Sequence, residues 1–206
     1  MTGVLIASSE ALDVNGLEQV GAHQVYWRLG AIPRATPVEL SAIAREWLEQ
    51  LVRSRRLFTW RGLTADGSTG KPLPVGARSA SVSISHSGSL VLIGACVDAR
   101  LGVDIESPPF DAFDSPQLVR RMCTPAESGE AMGLAHPERR RYLARVWTTK
   151  EAFVKATGSG LATDFRTLES GASLHASPQP FEAHIAVIDD QDHLISRRLT
   201  LEENHV

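Results

Sequence analysis

Three stretches of this chain combine residue types that can act on a phosphate ester. In Gly102-Val103-Asp104-Ile105-Glu106, two carboxylates stand two residues apart. On a strand they face the same way, while Val103 and Ile105 pack on the other side. Carboxylates held side by side repel, and a hard cation such as magnesium offsets that repulsion best; an edge strand with a polar outer face carries the same pattern. In Trp147-Thr148-Thr149-Lys150-Glu151-Ala152-Phe153-Val154-Lys155, the helical period stacks Trp147, Glu151 and Lys155 on one face. That is either an exposed Glu-Lys pair or a third oxygen ligand beside a cation fixed for phosphate oxygens. The third stretch is a pair of loops, Gly70-Lys71-Pro72 and Ser85-His86-Ser87-Gly88. Small hydroxyls, backbone amides and a histidine suit a phosphate or nucleotide, although His86 alone also reads as a satisfied turn histidine. A phosphate-binding P-loop is excluded, because Ala65 stands where its first glycine belongs and Pro72 where its Ser or Thr belongs.

The elements that must position these residues can be read from pattern. Val4 to Ala7 and Val20 to Leu29 read as strands. Ser41 is a plausible N-cap for a helix to about Arg55, with Ile43, Trp47, Leu48, Leu51 and Val52 on one face and Arg53, Arg55 and Arg56 around its last turn. Glycines and prolines from 62 to 78 predict loop. Val82 and Ile84 alternate with serines, Ser85 to Gly88 turns, and Leu90 to Val97 returns as a buried strand. Leu101 to Ile105 is a further strand. Pro116 to Met122 and Pro125 to Leu134 read as short helices, the second opened by a Thr124–Glu127 capping box. Pro137 starts a longer helix that stops at Gly158. Phe181 to Ile188 and Leu194 to Leu201 close the chain as strands across Asp189-Asp190-Gln191-Asp192.

The chain has 206 residues, with 21 Lys and Arg against 24 Asp and Glu, giving a formal net charge of -3. That length allows one large domain or two small ones. The balance excludes a generally basic nucleic-acid binder, no apolar run is long enough to span a membrane, and the first residues lack a secretory signal's basic region. The two cysteines, Cys96 and Cys123, are expected to be unpaired thiols in a reducing cytoplasm. Each half offers a helix and several strands, so the expected fold class is α+β, with two similar lobes (1–100 and 101–206) joined between about residues 98 and 108.

Taken in chain order, Gly70-Lys71-Pro72, Ser85-His86-Ser87-Gly88, Gly102-Val103-Asp104-Ile105-Glu106, the Trp147–Lys155 stretch and Gly158-Ser159-Gly160-Leu161 resemble the 4′-phosphopantetheinyl transferases. The likeness is to the two-lobed type that activates peptide and polyketide synthases, and it covers residues 70 to 161. The resemblance implies a pseudo-two-fold pair of lobes, each a small, mostly antiparallel sheet on a long helix, with one site between them. It implies magnesium-dependent transfer of the phosphopantetheine arm of coenzyme A to a serine of an apo acyl or peptidyl carrier protein, releasing adenosine 3′,5′-bisphosphate. Asp104, Glu106 and Glu151 match the family's magnesium ligands. Lys155 matches a lysine on the pyrophosphate, with Lys150 as its neighbour. His86 matches a histidine on a coenzyme A phosphate, and Ser85, Gly70, Lys71 and Pro72 match the nucleotide wall. Asp104, Glu151 and Lys155 are the residues expected to carry the chemistry. The carrier serine needs a base, for which Glu151 is one candidate, acting directly or through a metal-bound water.

One departure bears on coenzyme A. The family has a basic N-terminal segment for the 3′-phosphate, whereas residues 1 to 40 here hold only Arg28 and Arg34 and no lysine. Arg45 is the best substitute, with Arg53 equally arguable. Arg120, Arg121, Arg139, Arg140, Arg141 and Arg145 form either a solvated face or a surface that steers an acidic carrier protein. The expected protein is a cytoplasmic monomer that binds neither nucleic acid nor membrane. The competing classes are a metal-dependent phosphodiesterase or nuclease and a non-catalytic module that binds coenzyme A or a carrier.

Overall fold

Gly21 and Ala22 turn the chain between its first two strands, β1 (Asp13–Val20) and β2 (His23–Ala31), with Gly21 in the left-handed region at φ 60°. The structure, a computed structural model, describes residues 12–160, 163–174 and 179–201. The strand expected at Val4 to Ala7 lies outside them. The strand expected over Val20 to Leu29 is broken at Gly21, and β1 precedes it. With Asp13, Asn15, Glu18 and Gln19, β1 has little apolar alternation of its own and is held by continuous pairing with β2.

Helix α1 (Pro37–Arg55) begins five residues before the position that an N-cap at Ser41 suggests. Thr36 is the N-cap and forms a reciprocal capping box with Glu39, with Pro37 at the first helical position. The stretch expected to be all loop holds a small antiparallel ribbon, β3 (Leu63–Ala65) with β4 (Pro72–Pro74). Strand β5 (Ala80–Ser87) includes Ser85, His86 and Ser87, so these are not turn residues. The turn to β6 (Leu90–Val97) is at Gly88 and Ser89. Strands β1, β2, β6 and β5 form one antiparallel sheet in that order.

Beyond Asp98 and Ala99 comes β7 (Arg100–Glu106), then α2 (Pro116–Met122), α3 (Pro125–Met132) and α4 (His136–Thr157), capped by Gly158 in the left-handed region. The expected Thr124–Glu127 capping box opens α3. Strands β8 (Glu182–Ile188) and β9 (Leu194–Arg198) complete a second antiparallel sheet, β7-β8-β9. The fold is thus α+β with antiparallel sheets. The first sheet packs one face on α1 through Leu40, Trp47, Leu48, Val91 and Ile93. Its other face shares a core with the second sheet, where Val25, Leu29 and Leu92 meet Val103, Ile105 and Ile185.

The far face of β7 lies against α4. A Cβ on Gly102 would stand 1.9 Å from the Ala152 carbonyl oxygen and 2.5 Å from the Ala156 nitrogen. Only glycine allows strand and helix to meet backbone to backbone here. The helices α2 and α3 cover the outside of α4 through Phe113, Met122, Leu143 and Val146. Cys96 and Cys123 are buried and unpaired. Among the described residues, no helix is long and apolar enough to cross a membrane.

Candidate active site

Because Gly102 seats α4 on β7, residues 151 and 155 of the helix reach the face of the strand that carries Asp104 and Glu106. Asp104 is 4% exposed. Its Oδ1 accepts from Ser85 Oγ at 2.7 Å and from Lys155 Nζ at 2.5 Å, and Lys155 Nζ is also 3.0 Å from Ser85 Oγ. Its Oδ2 is buried with no hydrogen-bond partner. Glu106 Oε2 accepts from Ser87 Oγ at 2.7 Å, and Trp147 lies beside this carboxylate. Trp147 itself is stacked on Phe165 at 5.3 Å.

Burial pushes the Glu106 carboxyl above its ordinary range, and the charge of Asp104 adds to the rise against the hydrogen bond from Ser87. Glu151 is raised by burial first, then by Asp104, with Lys155 opposing and Glu106 adding a smaller push. The three acids therefore feel one another through low-dielectric surroundings.

Three carboxylates and one ammonium leave a formal charge of minus two. That, an oxygen-only donor set and the orphaned Asp104 Oδ2 fit a hard divalent cation. As placed, no group of three or more His, Cys, Asp or Glu side chains among the described residues stands close enough together to hold a metal ion. Lys155 holds Asp104 Oδ1 in its place.

The other expected site residues divide. His86 faces α1, where its Nε2 lies 3.3 Å from Ser41 Oγ, and Arg45 donates to the Ser41 carbonyl at 3.0 Å. Arg53 is two turns further along α1, roughly 12 Å away by helical rise, and is paired with Glu49. Lys71 is delivered by a loop that Asp66 organises, accepting from the amides and hydroxyls of Ser68 and Thr69, with Gly70 at φ 73°. Its ammonium donates to the Leu101 and Ala156 carbonyls at 3.1 Å each, and burial lowers its pKa to about 8. Lys71 thus ties β7 to the end of α4, with two of its ammonium protons engaged by carbonyls. Pro72 begins β4 beside it. A cleft of about 720 Å³ opens next to this loop, lined by Arg78, Ser81, Arg100, Thr157 and Asp190. Leu161 lies outside the described residues.

Lys150 does not belong to this constellation. It is 1% exposed, and its ammonium binds the Met122 and Phe165 carbonyls at 2.7 and 3.0 Å and Glu127 at 2.5 Å. It directly precedes Glu151 in sequence, about 100° around the helix, and that turns it to the covering layer. The arginine cluster also fails as a common open face. Arg140 pairs with Asp114, Arg141 donates to the Gln179 carbonyl at 3.0 Å, and Arg145 is buried against Glu182 at 3.3 Å. Arg120 and Arg121 remain exposed. Sequence reasoning missed the link from Ser87 to Glu106. Its signal was the alternation of Ser81, Ser83, Ser85 and Ser87, which the reading of Ser85 to Gly88 as a turn cut short.

A family model described as the 4′-phosphopantetheinyl transferase superfamily matches residues 100–200, the stretch that holds Asp104, Glu106, Glu151 and Lys155. The chain is 35% identical over 100 residues to the 4′-phosphopantetheinyl transferase psf-1 of Bacillus pumilus, covering 45% of this chain and 38% of that protein. It is 34% identical over 100 residues to the 4′-phosphopantetheinyl transferase HetI of a Nostoc species, covering 46% and 41%. It is 33% identical over 94 residues to a holo-[acyl-carrier-protein] synthase of Exiguobacterium sibiricum, covering 43% of this chain and 73% of that protein. The match spans about two fifths of the first two relatives' length.

Proposed function

Because this chain belongs to the 4′-phosphopantetheinyl transferase superfamily, we propose that it moves the 4′-phosphopantetheine arm of coenzyme A to a serine hydroxyl of an apo acyl or peptidyl carrier protein. In that reaction the serine oxygen bonds to the β-phosphorus, the bond from that phosphorus to the bridging diphosphate oxygen breaks, and adenosine 3′,5′-bisphosphate leaves. The observation that carries the reading is Asp104, whose buried and unpartnered Oδ2 stands with Glu106, Glu151 and Lys155 in one matched stretch.

Asp104, Glu106 and Glu151 would hold magnesium. Magnesium held there would supply positive charge against the diphosphate and the departing phosphate. Lys155 would donate to the diphosphate oxygens, exchanging its bond to Asp104 for them. Glu151, lifted by burial above the usual carboxylate range, is the chain's own group for taking the serine proton. Arg45, with Ser41 and His86, would receive the 3′-phosphate. The Gly70-Lys71-Pro72 loop and Ser85 would wall the nucleotide, with Lys71 contributing its loop. Arg120 and Arg121 would meet an acidic carrier. The lobe division at 1–100 and 101–206, a monomeric state, a cytoplasmic location and the absence of nucleic-acid or membrane partners belong to the same reading.

Intact-mass spectrometry of an apo carrier protein incubated with this protein, coenzyme A and magnesium tests it. The expected result is a gain of one phosphopantetheine that EDTA prevents. No gain on any carrier class, with the protein folded and binding coenzyme A, would replace the reading with a non-catalytic binding module.

A further inference from the structure

Strands β5 and β7 lie edge to edge without belonging to one sheet, and serine side chains span the seam. Ser81 Oγ accepts from the Leu101 amide at 3.0 Å and Ser83 Oγ from the Val103 amide at 3.0 Å. These two rungs satisfy backbone groups that an edge strand otherwise leaves open. The next two rungs reach carboxylates instead, Ser85 to Asp104 and Ser87 to Glu106. A serine hydroxyl has one proton and two lone pairs. Ser87 gives its proton to Glu106 Oε2 at 2.7 Å and accepts from the Ser107 amide at 3.2 Å. Its own position is fixed by the turn that follows. Gly88, at φ 59°, comes so close to Ser107 that a Cβ there would stand 2.6 Å from the Ser107 Oγ.

We propose that Ser87 is a positioning residue, holding Glu106 in the orientation in which it joins Asp104 and Glu151 around a divalent cation. The proposal rests on the magnesium site described above. Ser87 lies on the sheet that contributes none of the three carboxylates and outside the matched residues 100–200. The first sheet thus supplies part of the order of a site whose acids all come from the second half of the chain. Hydrogen-bond partners of metal ligands act in this way generally, and their loss weakens metal binding by about ten-fold or more.

The test is calorimetric titration of the full chain with manganese, a spin-bearing substitute for magnesium, without coenzyme A, with a thermal melt recorded for each protein. Ser87→Ala is expected to bind manganese about ten-fold more weakly than wild type, and Ser87→Thr, which keeps the hydroxyl, is expected to restore most of that loss. Ser83→Ala removes a rung that touches only backbone and is expected to lower the melting temperature while leaving manganese affinity unchanged. If Ser87→Ala does not melt cooperatively, Ser87→Cys, with a weaker donor of similar size, takes its place with the same expectation. Wild-type affinity in the Ser87 variant, or an equal loss in Ser83→Ala, overturns the proposal and leaves the transferase reading standing. No manganese binding by the wild-type chain overturns the metal site on which the proposal rests.

Discussion

Gly102 and Ala152 meet backbone to backbone, at a separation where a Cβ on the glycine would stand 1.9 Å from the alanine carbonyl oxygen. This contact sets the height of α4 above β7 and brings Lys155 within 2.5 Å of Asp104. Gly102→Ala is expected to lift the helix, costing about 3 kcal/mol or more by overpacking and lowering transfer with it. Gly129, in α3 with open space around it, is the contrast. Gly129→Ala is expected to stabilise by about 0.5–1 kcal/mol. Urea denaturation of both variants checks the pair.

Two lysines five residues apart should fail in different ways. Lys150→Met leaves Glu127 buried without its ammonium, and breaking such a pair costs about 3–5 kcal/mol, so the loss is expected in denaturation midpoint. Lys155→Ala also takes the ammonium from Asp104, but Lys155 is partly exposed, so a smaller loss of stability is expected while kcat falls about a hundred-fold and carrier KM stays put. A Lys155 variant with unchanged kcat removes that residue from the chemistry.

The buried acids give a pH signature. Glu106 and Glu151 titrate above their ordinary range in the folded protein, so the unfolded chain releases these protons first as pH rises. Ionised at neutral pH, they therefore weaken the fold, and the weakening fades as pH falls through the raised range. Glu151→Gln is expected to melt above wild type near pH 7 without added metal, with the gap closing under acid, while transfer is lost. Melts taken from pH 7 to pH 4 show whether the gap closes.

Arg45 and Arg53 separate by place on α1. Arg45→Ala is expected to raise coenzyme A KM, since Arg45 sits with Ser41 and His86. Arg53→Ala is expected to leave it unchanged, since Arg53 sits two turns away with Glu49. Steady-state kinetics with varied coenzyme A decide between them.

Local signals located much of this architecture. The Pro116 and Pro125 helix starts, the Thr124 capping box, the Gly158 stop and the alternation in Gly102–Glu106 each act within a few residues, and the structure follows them. Where the signal was long-range, sequence reading went astray. Strand β1 exists because β2 pairs with it, and its own residues are mostly polar. The start of α1 is an exception, since its signal, Thr36 with Glu39 three residues on, is as local as the Thr124 capping box. Lys150 could not be separated from Lys155 by spacing alone, since its three partners lie 15 to 28 residues away in sequence. The serine alternation on β5 was cut short by the turn expected from Ser85, and its cover, β7, lies 19 to 20 residues on.

The most direct measurement is a single-turnover assay on an apo carrier protein with coenzyme A and magnesium, following carrier mass for wild type and Asp104→Asn side by side. The substitution keeps size and removes the charge of the one acid that both Lys155 and Ser85 address. The account predicts a full phosphopantetheine gain with wild type and none with the folded variant. Equal gain with Asp104→Asn would contradict it.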